Sequence, residues 1–199
     1  MWTRLTLAAT LLAAVVSPTQ AQTDYYARLG LTYSTKLLQD DVIQEIETQQ
    51  SLAPTLALGI SIPIAPAFTA GLEGSFTSSG YHSTEQNVET DLGTLRTGSL
   101  LLNLAGPIVS QLGWRAGGGL IGYWPAENDG IFLQGGSARF LVGAGLDFRP
   151  RLLSNWDLMA SLRYDFHRFT TDELKARGFT GSQGVQRISA SIGLARARR

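Results

Sequence analysis

Apolar and polar residues alternate over long stretches of this chain, and five of the apolar series begin and end on an aromatic residue. Every second side chain of a β-strand points to the same face, so each series predicts a strand with one apolar face. The five series cover residues 25–33, 68–76, 114–124, 140–148 and 156–164. Trp and Tyr rings favour the two interfaces of a bilayer, so aromatics at both ends of a series predict strands that cross a membrane.

The lengths of the series agree with that interpretation. Eight residue steps separate the two aromatics in four of them. At a rise of about 3.3 Å per residue and a tilt of roughly 40°, this path covers about 20 Å along the membrane normal. The apolar band of outer-membrane barrels is about 25 Å tall. A soluble barrel or sandwich is the alternative, but it gives no reason for a constant separation between aromatics.

Eight segments carry the period of two, which predicts an all-β fold, namely an eight-stranded antiparallel transmembrane up-and-down β-barrel. The segments are 24–35, 50–63, 66–78, 88–105, 112–124, 137–149, 155–168 and 185–196. Three of the connections are short and contain proline, at 63–66, 106–111 and 150–154. The others are long and polar, at 36–49, 78–87, 125–136 and 169–184. Short turns are periplasmic in such barrels, so both chain ends are expected on that side.

The long connections leave two interpretations open. Residues 88–94 keep the alternation, so the fourth strand either ends near the membrane or projects above it as a hairpin arm. Residues 38–46 suit a short helix, whereas 46–50 suit an extension of the second strand. Pro54 lies inside the second strand and has no backbone N–H, so a bulge or a locally unpaired stretch is expected there.

The N-terminus has the features of a secretory signal peptide. Arg4 supplies a positive charge, residues 5–16 form an apolar run, and small residues precede Ala21. The run of 12 residues is shorter than the roughly 20 that a membrane-spanning helix needs. Residues 1–21 are therefore expected to be a cleaved signal peptide, and residues 22–199 a single outer-membrane β-barrel domain.

Composition excludes several classes of function. The chain has no cysteine, which rules out a disulfide framework and a thiolate metal site. Its 16 Lys and Arg residues balance 16 Asp and Glu residues, and this balance argues against a nucleic-acid partner, which would call for a basic face. The glycines lie within or beside predicted strands and not in a turn that opens a helix, so they do not form a phosphate-binding loop. We expect no cofactor-binding or metal-binding residues.

Strand parity places nine charged residues on the inner face of the barrel. They are Arg28, Glu73, Arg115, Arg139, Asp147, Asp157, Arg163, Asp165 and Arg187. The interior of an eight-stranded barrel is just wide enough to be filled by side chains, and an unpaired buried charge is very costly. These residues are expected to pair across neighbouring strands and plug the lumen, although an ion pathway or a binding site is the alternative. Inward glycines at 117, 119, 143 and 145 would make room for the arginines.

The two histidines, His82 and His167, are the candidates for a catalytic base. Lipid A deacylase barrels are also eight-stranded and carry a His-x-Ser pair with a Glu on the outer wall. Here the corresponding third positions are Thr84 and Phe169, so neither histidine matches. Parity also points His167 inward, away from a lipid substrate. We expect no catalytic residues and no enzymatic activity.

On its eight alternating segments and its alternating connection lengths, the mature chain resembles the small eight-stranded outer-membrane proteins of Gram-negative bacteria, the OmpA-type and OmpX-type barrels. The resemblance implies location in the cell outer membrane and contact with its lipid and lipopolysaccharide. It also implies dependence on periplasmic chaperones and the outer-membrane assembly machinery, and a monomeric state. Such proteins usually end on an aromatic residue that this machinery reads, whereas this chain ends with residues 194–199, Leu-Ala-Arg-Ala-Arg-Arg. Recognition would then use Ile192 and Leu194, or the basic tail would lie beyond the barrel end.

Three functional hypotheses follow from the sequence. The first is a porin-like barrel in shape only, with a plugged lumen and a structural or surface-interaction role through its extracellular loops. The second is an OmpW-like barrel that binds or transports a small apolar molecule, which an apolar inner tunnel would favour. The third is a lipid A-modifying enzyme, which the histidine contexts disfavour.

Overall fold

The computed structural model describes residues 23–40, 46–85, 88–127, 130–133, 136–176 and 181–196. The strands within these ranges are β1 (Asp24–Ser34), β2 (Leu38–Asp40), β3 (Ile46–Gln50), β4 (Ala53–Ala65), β5 (Phe68–Glu85), β6 (Val88–Pro107), β7 (Leu112–Pro125), β8 (Ser137–Phe148), β9 (Arg151–Leu153), β10 (Trp156–Phe169) and β11 (Gln183–Arg196). A 3-10 turn spans Gly130–Phe132, and helix α1 spans Asp172–Ala176. Neither of these helical segments, nor any other in the described ranges, has the length and apolar character to span a bilayer. The predicted signal peptide and its cleavage site lie outside the described residues.

Eight of these strands form a closed antiparallel ring in the order β5-β4-β1-β11-β10-β8-β7-β6, and β6 pairs back with β5. The eight-stranded antiparallel barrel predicted from the sequence is therefore confirmed. The remaining strands are attached to this ring, because the β2–β3 hairpin pairs with β5 and β9 pairs with β10. Closing the ring leaves the membrane-crossing part of the sheet without an edge, which lipid cannot accommodate.

The outer wall carries two belts of aromatic side chains. The lower girdle, at the end of the short turns, comprises Tyr25, Phe68, Trp114, Phe148 and Trp156. The upper girdle comprises Tyr33, Phe76, Trp124, Phe140 and Tyr164. Between the girdles, outward leucines such as Leu29 and Leu102 are 65% and 70% exposed. A continuous apolar outer band of this kind suits the hydrocarbon of a bilayer and not water.

Of the residues predicted as a long connection at 78–87, residues 78–85 continue the sheet instead, and residues 86–87 lie outside the described part. β5 extends to Glu85 and β6 begins at Val88, and the two strands pair from Thr69 opposite Ala105 to Glu85 opposite Val88. The β2–β3 hairpin adds to the same extension by pairing with Tyr81 to Glu85. A loop at 78–87 is therefore wrong, and the projecting hairpin is the correct alternative. We call the extension formed by residues 38–40, 46–50, 79–85 and 88–95 the arm.

Strand pairing answers two questions that the sequence left open near the second predicted strand, namely the structure of residues 46–50 and the backbone at Pro54. Residues 46–50 form a strand, so the extension of the sheet is correct for them, while residues 41–45 lie outside the described part. The five residue steps from Gln50 to Thr55 face only four steps from Tyr81 to Thr77, so one residue bulges within this interval. Pro54 lies there, where its missing N–H removes no bond to β5. The bulge or unpaired stretch predicted near Pro54 thus occurs on the β5 side, while Pro54 keeps its register opposite Leu31 of β1.

The short connections are tight turns. β4 reaches β5 through residues 66–67, and β6 reaches β7 through residues 108–111. In the second turn, the backbone N–H groups of Ile108 and Val109 donate to the Leu112 carbonyl at 2.8 and 3.0 Å. The turns thus satisfy their own backbone groups, as a barrel rim requires.

Candidate functional site in the barrel interior

A single carboxylate, that of Glu73 on β5, gathers three arginines in the lower half of the barrel interior. Its Oε2 lies 2.5 Å from Nη2 of Arg28 and also accepts a hydrogen bond from Arg115. Its other oxygen, Oε1, lies 2.9 Å from Nη1 of Arg163. All four side chains are at most 10% exposed. Charge-assisted bonds offset part of the loss of hydration that burial imposes on them.

Two further carboxylates extend this network. Asp147 accepts hydrogen bonds from Nε and Nη2 of Arg115 at 3.0 and 2.5 Å, and from the Ser161 hydroxyl at 2.7 Å. Asp165 accepts from Nε of Arg163 at 2.6 Å. We call the group Arg28, Glu73, Arg115, Asp147, Arg163 and Asp165 the charged layer. It holds three positive and three negative groups, so it is balanced within itself.

Tyr26 on β1 completes the lower side of the charged layer. Its hydroxyl donates to Glu73 Oε2 at 2.7 Å and accepts from Arg115 Nη1 at 2.6 Å. The guanidinium carbons of Arg115 and Arg28 lie 4.8 and 5.2 Å from the centre of its ring, within cation–π range. On the neighbouring strand, a Cβ on Gly59 would overlap the tyrosine ring. Glycine at 59 therefore makes the room that Tyr26 needs.

The structure corrects the predicted pairing rule. Arg115 and Asp147 do lie on neighbouring strands, β7 and β8. Glu73, however, reaches arginines on β1, β7 and β10, none of which is a neighbour of β5 in the ring. The reason is barrel width, because long side chains from facing walls meet in an interior of this size. The expected role of glycine holds at Gly143, where a Cβ would overlap the Asp165 carboxylate and lie 3.0 Å from Arg163 Nη2.

The remaining predicted inward charges lie outside the charged layer. Asp157, near the lower rim, pairs with Arg151 at 3.0 Å. Arg139, near the upper rim, donates to the carbonyls of Ala138 and Thr170. Arg187 is buried and donates to the Thr97 hydroxyl at 3.1 Å. Parity thus places all three side chains correctly on the inner face, but they lie at different heights along the barrel axis.

The upper half of the interior contains a large apolar cluster, which sequence reasoning missed. We call this group the apolar layer; its members are at most 8% exposed, and they are Leu37, Leu38, Tyr81, Leu92, Leu95, Leu101, Ile121, Tyr123, Ile131, Phe132, Leu141, Phe169, Leu174 and Val185. Phe132, from the 3-10 turn, is fully buried with its ring centre 6.0 Å from that of Tyr81 and 5.8 Å from that of Phe169. The alternation places Leu101, Ile121 and Leu141 on the inner face, and this could have indicated an apolar cluster there. Phe132 lies outside any strand, so no alternation indicates where its side chain points.

Thr171 fixes the two connections that supply the apolar layer. Its hydroxyl donates to the Ile131 carbonyl at 2.7 Å and accepts from the Leu174 N–H at 3.1 Å. The second bond caps the N-terminus of α1 and presents Leu174 to the interior. At the exposed side of α1, the Lys175 ammonium lies 2.8 Å from the Asp172 carboxylate and lowers the pKa of that carboxyl. One hydroxyl therefore holds the 3-10 turn and the helix against each other.

The structure places the two histidines in different parts of the molecule. His167 Nε2 lies 2.5 Å from the Tyr123 hydroxyl inside the barrel, as its inward parity predicted. His82 lies on the arm, with Nδ1 4.0 Å from Glu89. In the described hydrogen bonds, no Ser or Thr hydroxyl pairs with either histidine. The described residues also contain no group of three His, Cys, Asp or Glu side chains placed to hold a metal ion.

No family model and no curated protein matches the chain. Several solved structures, however, match the chain. Neisserial surface protein A has a TM-score of 0.58 at 11% identity, covering 87% of this chain and 96% of that chain. AlkL, determined in lipid bilayers, has a TM-score of 0.55 at 14% identity, covering 92% and 94%. OprG from Pseudomonas aeruginosa has a TM-score of 0.51 at 14% identity, covering 88% and 96%. At these identities the likeness concerns the fold, and the chain folds as a small eight-stranded β-barrel of the Gram-negative outer-membrane type.

Proposed function

We propose that the protein is a non-enzymatic outer-membrane barrel with a closed lumen, which acts at the cell surface through its arm. The observation that carries this is the filling of the interior at two successive heights. The charged layer is bonded from wall to wall, since Glu73 and Arg163 lie on opposite strands and meet at 2.9 Å. Above it, Phe132 and its neighbours are packed and buried. A molecule entering from either end would have to break one layer and then the other.

The arm is the second support. It carries four paired strands beyond the upper girdle, which is more ordered structure than a passive connection needs. Its register shifts opposite Tyr81, where Gly93 adopts a φ of +85° and its N–H bonds Asp91 at 2.8 Å. That bulge lets Tyr81 and Leu92 both enter the apolar layer. A platform anchored in the barrel core suits contact with a partner outside the cell better than a flexible loop does.

Orientation can be tested directly because the chain has no cysteine. Thr90→Cys on the arm should react with a membrane-impermeant maleimide in intact cells. Ser110→Cys, in a short turn, should react only after the outer membrane is permeabilised. The reverse pattern would place the arm in the periplasm and overturn the surface role.

An apolar transport barrel is the second candidate, and the apolar layer is the observation that favours it. The two candidates differ in what removal of the arm tip does. Replacing residues 82–91 with an Asn-Gly turn keeps the hairpin and removes the tip. A surface role predicts lost adherence of expressing cells with unchanged uptake of a small apolar dye. Transport predicts dye uptake above that of cells lacking the protein, with adherence unaffected by the replacement.

A further inference from the structure

The outer wall has a groove that the closed-lumen proposal does not use. Its floor is a row of outward residues without large side chains, Gly98, Gly122 and Ala138, which face one another across β6, β7 and β8. Gly74 lies one step lower on β5, opposite Leu100. The groove is an open depression of about 540 Å³, a volume within the range of about 300–1,000 Å³ found for ligand clefts.

The groove is lined by apolar side chains, and the Trp124 ring forms its upper end. Leu58, Leu100 and Leu120 line the lower part, each more than half exposed. At the upper end the Trp124 ring lies across two glycines. A Cβ built on Gly98 would lie 2.9 Å from its Cζ3, and one built on Gly122 would lie 2.7 Å from its Cη2. The glycines thus seat the indole flat on the wall and leave the depression below it open.

One positively charged side chain, that of Arg96, lies at the upper end of the groove. Arg96 pairs directly with Trp124 across β6 and β7, two residues above Gly98 on the same outward face. Its side chain is exposed and has no carboxylate within salt-bridge distance among the described residues. The height of Trp124 in the upper girdle places this guanidinium at the lipid headgroups, since aromatic rings of this kind mark the interface.

We infer that this groove is a binding site for one phosphate-bearing lipid of the outer leaflet, lipid A. An acyl chain would lie in the open depression below the Trp124 ring, against Gly74, Leu100 and Leu120. A phosphate would accept hydrogen bonds from Arg96, whose guanidinium matches phosphate geometry in a bidentate manner. Apolar surface alone would accept any membrane lipid. The combination with one arginine at headgroup height selects an anionic headgroup, and the width of a depression that extends from β4 to β8 favours a lipid with several acyl chains side by side.

The test uses the full mature protein in detergent micelles, with bound lipid measured by native mass spectrometry. The probes are lipid A, phosphatidylglycerol and phosphatidylcholine. We expect the wild-type protein to retain one lipid A in preference to both other lipids. Arg96→Gln should lower its apparent affinity about tenfold, the value of one charge-assisted contact. Arg96→Lys should retain part of the preference, because it keeps the charge.

Matched controls separate the site from general charge and surface effects. Arg168 is also an exposed arginine beyond the upper girdle, on β10, four residues past Tyr164, so Arg168→Gln should leave retention within about twofold. Gly74→Leu should fill the groove, since the nearest atom to a Cβ there is 3.9 Å away. Ala116→Leu fills a second outer depression of about 500 Å³ and should have no effect.

Several results would overturn the inference. Equal retention of lipid A by Arg96→Gln and Arg168→Gln would show that Arg96 has no role in binding. Equal retention by Gly74→Leu and Ala116→Leu would show that the groove has none. If the wild-type protein retained phosphatidylglycerol to the same extent as lipid A, the ligand assignment would be wrong. Arg96 is exposed and its variants should fold, so they decide the question even if Gly74→Leu does not refold. None of these measurements depends on conductance, adherence or dye uptake.

Discussion

Nη1 of Arg163 lies 2.9 Å from Oε1 of Glu73, although their strands, β10 and β5, stand diametrically opposite in the ring of eight. The same Glu73 carboxylate also holds Arg28 and Arg115. It therefore ties together three strands that share no ladder hydrogen bonds with its own. Through this contact, the interior stabilises the closed cross-section as well as filling it.

Replacing Glu73 with Gln should destabilise the barrel strongly. The change leaves three buried guanidinium groups facing only two carboxylates of the charged layer, those of Asp147 and Asp165. Breaking a buried, hydrogen-bonded charge pair costs about 3–5 kcal/mol. Urea unfolding of the protein in lipid vesicles measures the loss.

Glu47→Gln is the matched control for that experiment. It removes the same charge from an ion pair with Lys36 at 2.7 Å, in which both side chains are more than one third exposed. A pair of this kind contributes about 0–1 kcal/mol. Comparable losses in the two variants would show that Glu73 has no special place in the fold.

The closed lumen predicts silent planar-bilayer recordings from the pure wild-type protein. Glu73→Ala offers the positive comparison, because it shortens the side chain that joins opposite walls and opens space at the level of the charged layer. Conductance events should therefore be rare in the wild type and more frequent in the variant, in which one of the two closed layers is opened. Steady porin-like channels from the wild-type protein would refute the closed interior.

The wall of the barrel could be predicted from sequence because it depends on a local rule. Alternation with a period of two assigns each residue to one face, and the aromatic pairs mark where the strands meet the interfaces. Arg28, Glu73 and Arg187 all lie inside as parity requires. The irregular pairing near Pro54 is local too, since proline has no backbone N–H for a ladder bond.

Contacts across the lumen could not be predicted in the same way. Whether Glu73 meets Arg163 depends on the stagger of all eight strands, which fixes which heights face each other after closure. The apolar layer depends on Phe132, a residue outside any strand, held by the Thr171 bond to Ile131. The arm escaped a firm prediction because its strands pair beyond the membrane, where no aromatic bracket marks their length.

Gly143→Ala should destabilise the charged layer without changing any charge. The added Cβ would overlap the Asp165 carboxylate, so Asp165 must move away from Arg163. Overpacking of a filled interior costs roughly 1–3 kcal/mol. Gly74→Ala is the in-strand control, because its Cβ would meet nothing closer than 3.9 Å. A midpoint of unfolding that shifts equally in the two variants would contradict the packing described at Gly143.

Ala144→Arg should impair folding into lipid. Ala144 lies midway between Phe140 and Phe148 on β8, with its side chain exposed on the outer wall. An arginine at the bilayer midplane costs about 2–4 kcal/mol, and the cost falls toward either interface. Thr90→Arg places the same residue at an exposed position of the arm, beyond the upper girdle, and should refold as the wild type does. Refolding yields into vesicles, compared for the two variants, measure the difference. Because a slip of one residue would exchange the two faces of β8, equal yields would show that Ala144 does not face the lipid.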